Sequence, residues 1–298
     1  MEGRITIVCA VAGDTPPQVV EASSWLAREL GGDVVLAHAF DALAIAVPPA
    51  AELTIAGVTS DEVASAERDR ARARLEALAA RFANVEHTTV VAGARPVPAL
   101  LGIADEHDAS LMLTGTAARG GLDRVLVGSV ASDLASQARC PVVVVREDAA
   151  LGAAGPVVVG YDGSDDSLRA ARHAAALASG LGRGLVLVHV VDADTEPVQA
   201  DVQLARELHE AVAACQIGRP QRVDAAIAVE RGDPVEQLTD LARRRQAALL
   251  VTGTRGRGAV TSALLGSVSS GVVRTAGRPV VLVGPAAEGL PRASAVRR

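Results

Sequence analysis

The chain holds Gly253-Thr254-Arg255-Gly256, then nine residues from Arg257 to Leu265, then Gly266-Ser267. These residue types at this spacing suit an anion. Gly253 closes an apolar run, and Gly256 is expected to turn the backbone at positive φ and let it approach a ligand closely. Gly266-Ser267 opens a helical stretch whose free N–H groups and positive dipole end attract phosphate. Ser267 can cap that helix or offer its hydroxyl to phosphate, and Arg255 and Arg257 add charge. The competing reading is an ordinary glycine-rich connection with a serine cap. A second group lies in Val159-Gly160-Tyr161-Asp162-Gly163-Ser164. Its carboxylate sits just past an apolar run, where it can accept hydrogen bonds from a ribose or an adenine amine, or cap the helix that follows.

These groups meet only if the intervening elements bring them together. In the second half Val157-Val158-Val159 reads as a buried strand. Asp165 to Ser179 reads as a helix with Gly180 as its stop. Leu185 to Val191 is a continuous apolar strand, Val202 to Cys215 a helix, Val223 to Val229 a third strand, Val235 to Arg245 a helix and Ala247 to Thr252 a fourth strand. After the glycine-rich loop come a helix from Ser267 to Thr275 and a fifth strand, Val280 to Val283. Apolar strands alternating with helices imply a parallel sheet covered on both faces, a doubly wound α/β fold. Ligands of such sheets bind beyond the carboxyl ends of the strands, near the switch in strand order.

The pattern occurs twice. Leu126-Val127-Gly128-Ser129-Val130 returns as Leu264-Leu265-Gly266-Ser267-Val268, and Pro141-Val142-Val143-Val144-Val145 as Pro279-Val280-Val281-Leu282-Val283. Leu111-Met112-Leu113-Thr114-Gly115-Thr116 matches Leu249-Leu250-Val251-Thr252-Gly253-Thr254, all at one offset of 138 residues. Gly13 pairs with Gly163, His38 with His189 and Gly93 with Gly232. A period this long means two tandem copies of one domain rather than a solenoid. Residues 1–148 form the first, 149–156 a short linker of small residues ending in proline, 157–285 the second, and 286–298 a frayed tail. The last strands of the two copies are apolar sheet edges without lysine or internal proline, and such edges invite pairing.

Composition narrows the chemistry. The chain has 298 residues and no lysine, so a P-loop, Schiff-base or kinase lysine is excluded. Aromatic residues make up 1%, too few for stacking on single strands, and a net charge of −6 argues against non-specific nucleic-acid binding. Residues 1–148 carry 12 arginines against 20 acidic residues, a net of −8, whereas the remainder carries 17 against 15, a net of +2. An anion should prefer the second half. Cys9, Cys140 and Cys215 have no metal or redox spacing and suit a reducing cytoplasm. No apolar run is long enough to span a membrane, and no secretory cleavage site is evident. His38 and His189 fall in buried strands and read as satisfied core residues. His87, His107, His173 and His209 are scattered and form no metal set. Asp61 to Arg74 alternates in sign and reads as the solvent face of a helix, as does Arg243-Arg244-Arg245 at a helix end. Ser24, Ser164 and Ser167 lack a nucleophile elbow.

The glycine motif of the second half, with Asp162-Gly163-Ser164, His189-Val190-Val191 and Arg278-Pro279-Val280-Val281, resembles the universal stress protein family over almost the whole chain. The resemblance implies two tandem Rossmann-like domains of the adenine nucleotide alpha hydrolase type, each a five-stranded parallel sheet of order 3-2-1-4-5 with helices on both faces. It also implies ATP as ligand, with Gly160, Asp162 and Val190 around adenine and ribose, and Gly253, Arg255, Gly256, Gly266, Ser267 and Val268 around ribose and phosphates. It further implies pairing of the last strands across the two copies, and leaves a homodimer open. In the first copy Gly115, Gly128, Ser129 and Val130 match, but Ala118 replaces the second motif glycine and Ala12 the aspartate, with Asp14 nearby. That site is expected to be degraded. Three functions follow: an ATP-binding stress regulator, a slow ATPase on the same fold with Asp162 alone able to touch Mg²⁺, or a nucleotide-free interaction module.

Overall fold

The computed structural model of the chain describes residues 4–13, 15–42, 60–82, 84–116, 127–193, 200–216, 223–256 and 265–289. The first half runs β1 (Thr6–Ala10), α1 (Pro17–Leu30), β2 (Asp33–Ala39), α2 (Ser60–Ala79), β3 (His87–Ala92), α3 (Pro96–Glu106), β4 (Leu111–Gly115), α4 (Ser129–Gln137) and β5 (Val142–Val145). The second runs β6 (Val157–Gly160), α5 (Asp165–Gly180), β7 (Leu185–Val191), α6 (Ala200–Gln216), β8 (Ala225–Arg231), α7 (Pro234–Arg244), β9 (Leu249–Gly253), α8 (Ser267–Thr275) and β10 (Val280–Val283).

All ten strands form one sheet of order β3-β2-β1-β4-β5-β10-β9-β6-β7-β8. Within each half the strands are parallel and follow the order 3-2-1-4-5. The junction between halves is antiparallel, with Val280 opposite Val144, Val281 opposite Val143 and Leu282 opposite Val142. Two backbone bonds flank it, Ala150 N–H to Gly277 O at 2.9 Å and Glu288 N–H to Arg139 O at 2.7 Å. At the 138-residue offset these are one bond made twice, so a pseudo-twofold axis passes through the Val143–Val281 pair. The carboxyl ends of β1–β5 and of β6–β10 therefore point to opposite edges of the sheet.

The side chains explain the layers. The inner strands are runs of valine and leucine buried on both faces, as central parallel strands must be. Ile7, Leu113, Val159 and Val251 face one side, under Leu26 of α1, Leu75 of α2, Leu177 of α5 and Leu208 of α6. Val8, Met112, Val158 and Leu250 face the other, under Leu100 of α3, Leu134 of α4, Leu238 of α7 and Val272 of α8. No helix among the described residues is long and apolar enough to cross a membrane.

Four expectations can be set against the structure. The helix expected from Asp165 to Ser179 with Gly180 as its stop runs Asp165–Gly180. Gly182, at φ 63, makes the turn, and Arg183 N–H closes on Ala178 O at 2.8 Å. Gly31, at φ 67, does the same for α1 with Gly32 N–H on Ala27 O. The third strand of the second half lies at Ala225–Arg231 rather than Val223 to Val229. It is a sheet edge and half exposed, so apolar residues mark its ends poorly. The 149–156 segment is a packed strap: Ala149 is buried, and a methyl built on Gly155 would lie 2.2 Å from Gln246 O. The start of the tail is also tied down, with Ala287 buried and Glu288 ion-paired to Arg139. Residues 290–298 lie outside the described residues.

Candidate functional site

Strands β9, β6 and β7 are neighbours, and β6 is where the strand order reverses. The candidate residues of the second half gather at the carboxyl ends of these three strands. Gly160 ends β6 and Asp162 follows it, Val190 lies near the end of β7, and Gly253 ends β9 with Arg255 and Gly256 after it.

Asp162 is held by the turn that starts α5. Its Oδ1 accepts from Ser164 N–H at 3.0 Å and from Ser164 O–H at 2.6 Å. The cap of α5 is Ser164, whose Oγ accepts from Ser167 N–H. Asp162 thus does not cap the helix itself, and Gly163, at φ 83, supplies the left-handed turn between them. The other carboxylate oxygen, Oδ2, faces Gly256: a methyl built on Gly256 would lie 2.7 Å from it. The expected positive φ at Gly256 is not found. The bare glycine lets the loop backbone pass close over the carboxylate, and a methyl there would require the Asp162 side chain to shift.

The other end of the site is the start of α8. Gly266 N–H bonds Thr254 O at 2.8 Å, and Ser269 O–H bonds Gly253 O at 2.6 Å. These two bonds clamp β9 to the first turn of α8. The helix cap is Gly266, with no side-chain cap bond, and Ser267 is the exposed first helical residue. The capping role foreseen for Ser267 is therefore wrong. Without a side-chain acceptor, the first-turn amides keep their donors and the dipole end for an anion. A methyl built on Gly160 would lie 3.1 Å from Leu238 Cδ1, so α7 packs closely on this position. Arg255, Val190 and Val268 are half-buried, and Arg257 lies outside the described residues.

Sequence reasoning missed two residues. Thr254 Oγ1 is buried with no hydrogen-bond partner, one residue before Arg255. Ser269 is the latch on Gly253. The repeat offset could have flagged it, because Ala131 stands at the matching place in the first half and cannot make that bond.

The first half keeps the frame without the carboxylate. Gly115 ends β4, against Pro16 Cδ, which a methyl there would approach to 3.2 Å. Gly128 caps α4 without a side-chain bond, Ser129 is exposed and Val130 half-buried. Ala12 N–H donates to Thr15 Oγ1 at 2.6 Å. Asp14 and Ala118 lie outside the described residues. The two strand histidines are pinned alike, His38 Nδ1 on Val11 O at 2.7 Å and His189 Nδ1 on Tyr161 O at 2.8 Å. Burial pushes the Cys9 and Cys140 thiols up to about 12. Among the described residues no three His, Cys, Asp or Glu side chains group as a metal site.

Two doubly wound units, fused edge to edge and each with a glycine-flanked uncapped helix at its carboxyl edge, define a tandem Rossmann-like protein. The sequence model of the universal stress protein family matches residues 4–146 and 154–284, and the chain belongs to that family. A universal stress protein of Mycolicibacterium smegmatis is 39% identical over 185 residues, 59% of this chain and 62% of that protein. One from Mycobacterium tuberculosis strain H37Rv is 36% identical over 200 residues, 63% of this chain and 65% of that protein. The matched stretch thus spans less than two thirds of the length of these relatives. A crystal structure of a universal stress protein from Archaeoglobus fulgidus covers 94% of this chain with a TM-score of 0.69 at 19% identity, a likeness of fold.

Proposed function

We propose that the protein binds ATP in its second half and acts as a regulator in a stress or dormancy response, nucleotide occupancy shifting its conformation or partner binding. The observation that carries this reading is the uncapped start of α8 beside Gly253 and Gly256, with the Asp162 carboxylate directly under the same loop. A phosphate chain suits the first-turn amides and the Ser267 hydroxyl. Ribose hydroxyls or an adenine amine suit Asp162 Oδ2. The buried Thr254 hydroxyl has donor and acceptor capacity beside them. Mg²⁺, if it accompanies ATP, would meet Asp162 as its single protein carboxylate. We take 1–148 and 157–285 as the two domains and the cytoplasm as their compartment. Mass spectrometry of gently denatured, freshly purified protein tests the reading. Co-purified ATP is the expected result. ADP with measurable turnover would make the protein an enzyme, and absence of nucleotide, with no binding on titration, would make it an interaction module.

A further inference from the structure

α3 and α7 are the same helix of the two copies, each 11 residues long and opening on Pro-Val. They share an inward face: Leu100, Ile103 and Ala104 in α3, Leu238, Leu241 and Ala242 in α7. Their outward faces differ. α7 carries Glu236, Thr239 and Asp240 there, and α3 carries Pro98, Leu101 and Gly102 at the matching places. Pro98 is exposed, and Leu101 and Gly102 are half-buried.

The charges at the helix ends are reversed as well. α7 starts at Asp233, whose carboxylate accepts from Val235 N–H at 2.9 Å and Glu236 N–H at 3.0 Å, and it finishes at Arg243 and Arg244. Those signs suit the helix dipole. α3 starts at Arg95, with no side-chain cap bond, and finishes at Asp105 and Glu106, all three exposed. Each of these charges has the sign that its own helix dipole opposes. Arg139 feels the Asp105 charge but is ion-paired to Glu288. Gly102 is a further departure. Glycine inside a helix weakens it, and a methyl built there would meet nothing within 4 Å among the described residues. α3 is thus a poor solitary helix on three counts, and a second helix of the right charge order would answer all three.

A second copy of α3 has that order. In an antiparallel pair with its twofold axis near Leu101, Leu101 meets its own equivalent. Pro98 of one copy lies over the bare Gly102 backbone of the other, and Arg95 of one faces Asp105 and Glu106 of the other, each contact made twice. A parallel pair would set like charges together, and the outward face of α7 has no apolar residue to offer. We infer that the outward face of α3 is a self-association surface, through which two copies of the chain pair as antiparallel helices. An 11-residue helix spans only about 16 Å, which covers less than the roughly 1,200 Å² of a stable interface. The pairing is therefore weak and concentration-dependent, and salt is needed to screen the net −8 of each first half.

Sedimentation velocity of the full chain at physiological ionic strength, over rising protein concentration, tests this. The parent should pass from monomer to dimer. Leu101→Thr/Gly102→Asp gives α3 the outward residues that α7 carries on the same frame, and should weaken dimerisation at least about tenfold with the circular dichroism spectrum unchanged. Arg95→Glu should weaken it, and so should Asp105→Arg/Glu106→Arg. The three reversals combined should restore it, which a merely structural role for these residues would not do. A parent that stays monomeric overturns the proposal and leaves the face to a different protein. A dimer indifferent to these variants also overturns it, because the contact then lies elsewhere, as at the outer sheet edges. Failure of the combined reversals to restore pairing overturns the antiparallel arrangement and the proposal with it.

Discussion

Asp162 and Gly256 are one device seen from two sides. Asp162→Ala removes an acceptor for ribose or adenine, and Gly256→Ala drives a methyl into Oδ2 at 2.7 Å. Each should weaken ATP binding at least about tenfold, or about 1.4 kcal/mol, by calorimetry. Unchanged affinity in both variants would remove these residues from the site. The glycine was legible in the sequence, but its reason was not: a close approach between segments so far apart in the chain cannot be read from either alone. The Ser267 cap failed for a related reason, since Gly266 took the cap position and left the serine one place inside the helix. Cys9 and Cys140 are both buried free thiols. With Cys9 and Cys140 pushed up to about 12 by burial, both stay protonated near neutral pH. Site-resolved alkylation at pH 8 should label them only in denaturant. Fast labelling in the native protein would mean that the core opens.

At the scale of elements, periodicity located helices and central strands and was weakest where an element is half exposed. β7, α8 and β10 have the bounds their apolar runs dictate, because both faces of those strands are covered. The edge strand β8 lacks that covering and is displaced by two residues at each end. The clamp between β9 and α8 depends on Ser269. Ser269→Ala leaves the buried Gly253 carbonyl without this donor, at a cost of about 1–3 kcal/mol. Urea unfolding should show a loss of this size with the slope unchanged, and ATP binding should weaken in parallel because the clamp sets the start of α8. A stability within a few tenths of a kcal/mol of the parent would show that the bond is replaced by another donor. α2 keeps the solvent face its alternating charges dictate, with Arg68, Arg70, Arg72 and Arg74 exposed and Ala71 and Leu75 turned to the core.

The whole molecule is a pseudo-twofold pair built on identical backbone contacts and unequal side chains. At the junction a methyl on Gly284 would lie 2.2 Å from Ala135 O, while Arg146 stands at the matching place and grips Asp148 through two bonds. The halves fit each other without being interchangeable, and the same inequality governs ligand binding. The first half lacks the Asp162 carboxylate and the Ser269 latch, and its net charge is −8 against +2 for the rest. One lost ribose hydrogen bond is worth about 0.5–1.5 kcal/mol, which at its upper end is about tenfold in affinity before any charge effect. No cost for an alanine at positive φ is added, since Gly256 does not adopt that conformation. Because the β5–β10 junction is antiparallel, the two carboxyl edges face opposite sides of the sheet, so a nucleotide on one does not touch the other. At limiting ATP the stoichiometry should therefore approach one per chain, at an affinity that Asp162→Ala weakens at least about tenfold. Two equal ATP sites per chain, or a single one whose affinity Asp162→Ala leaves unchanged, would mean that the carboxylate is not what distinguishes the halves.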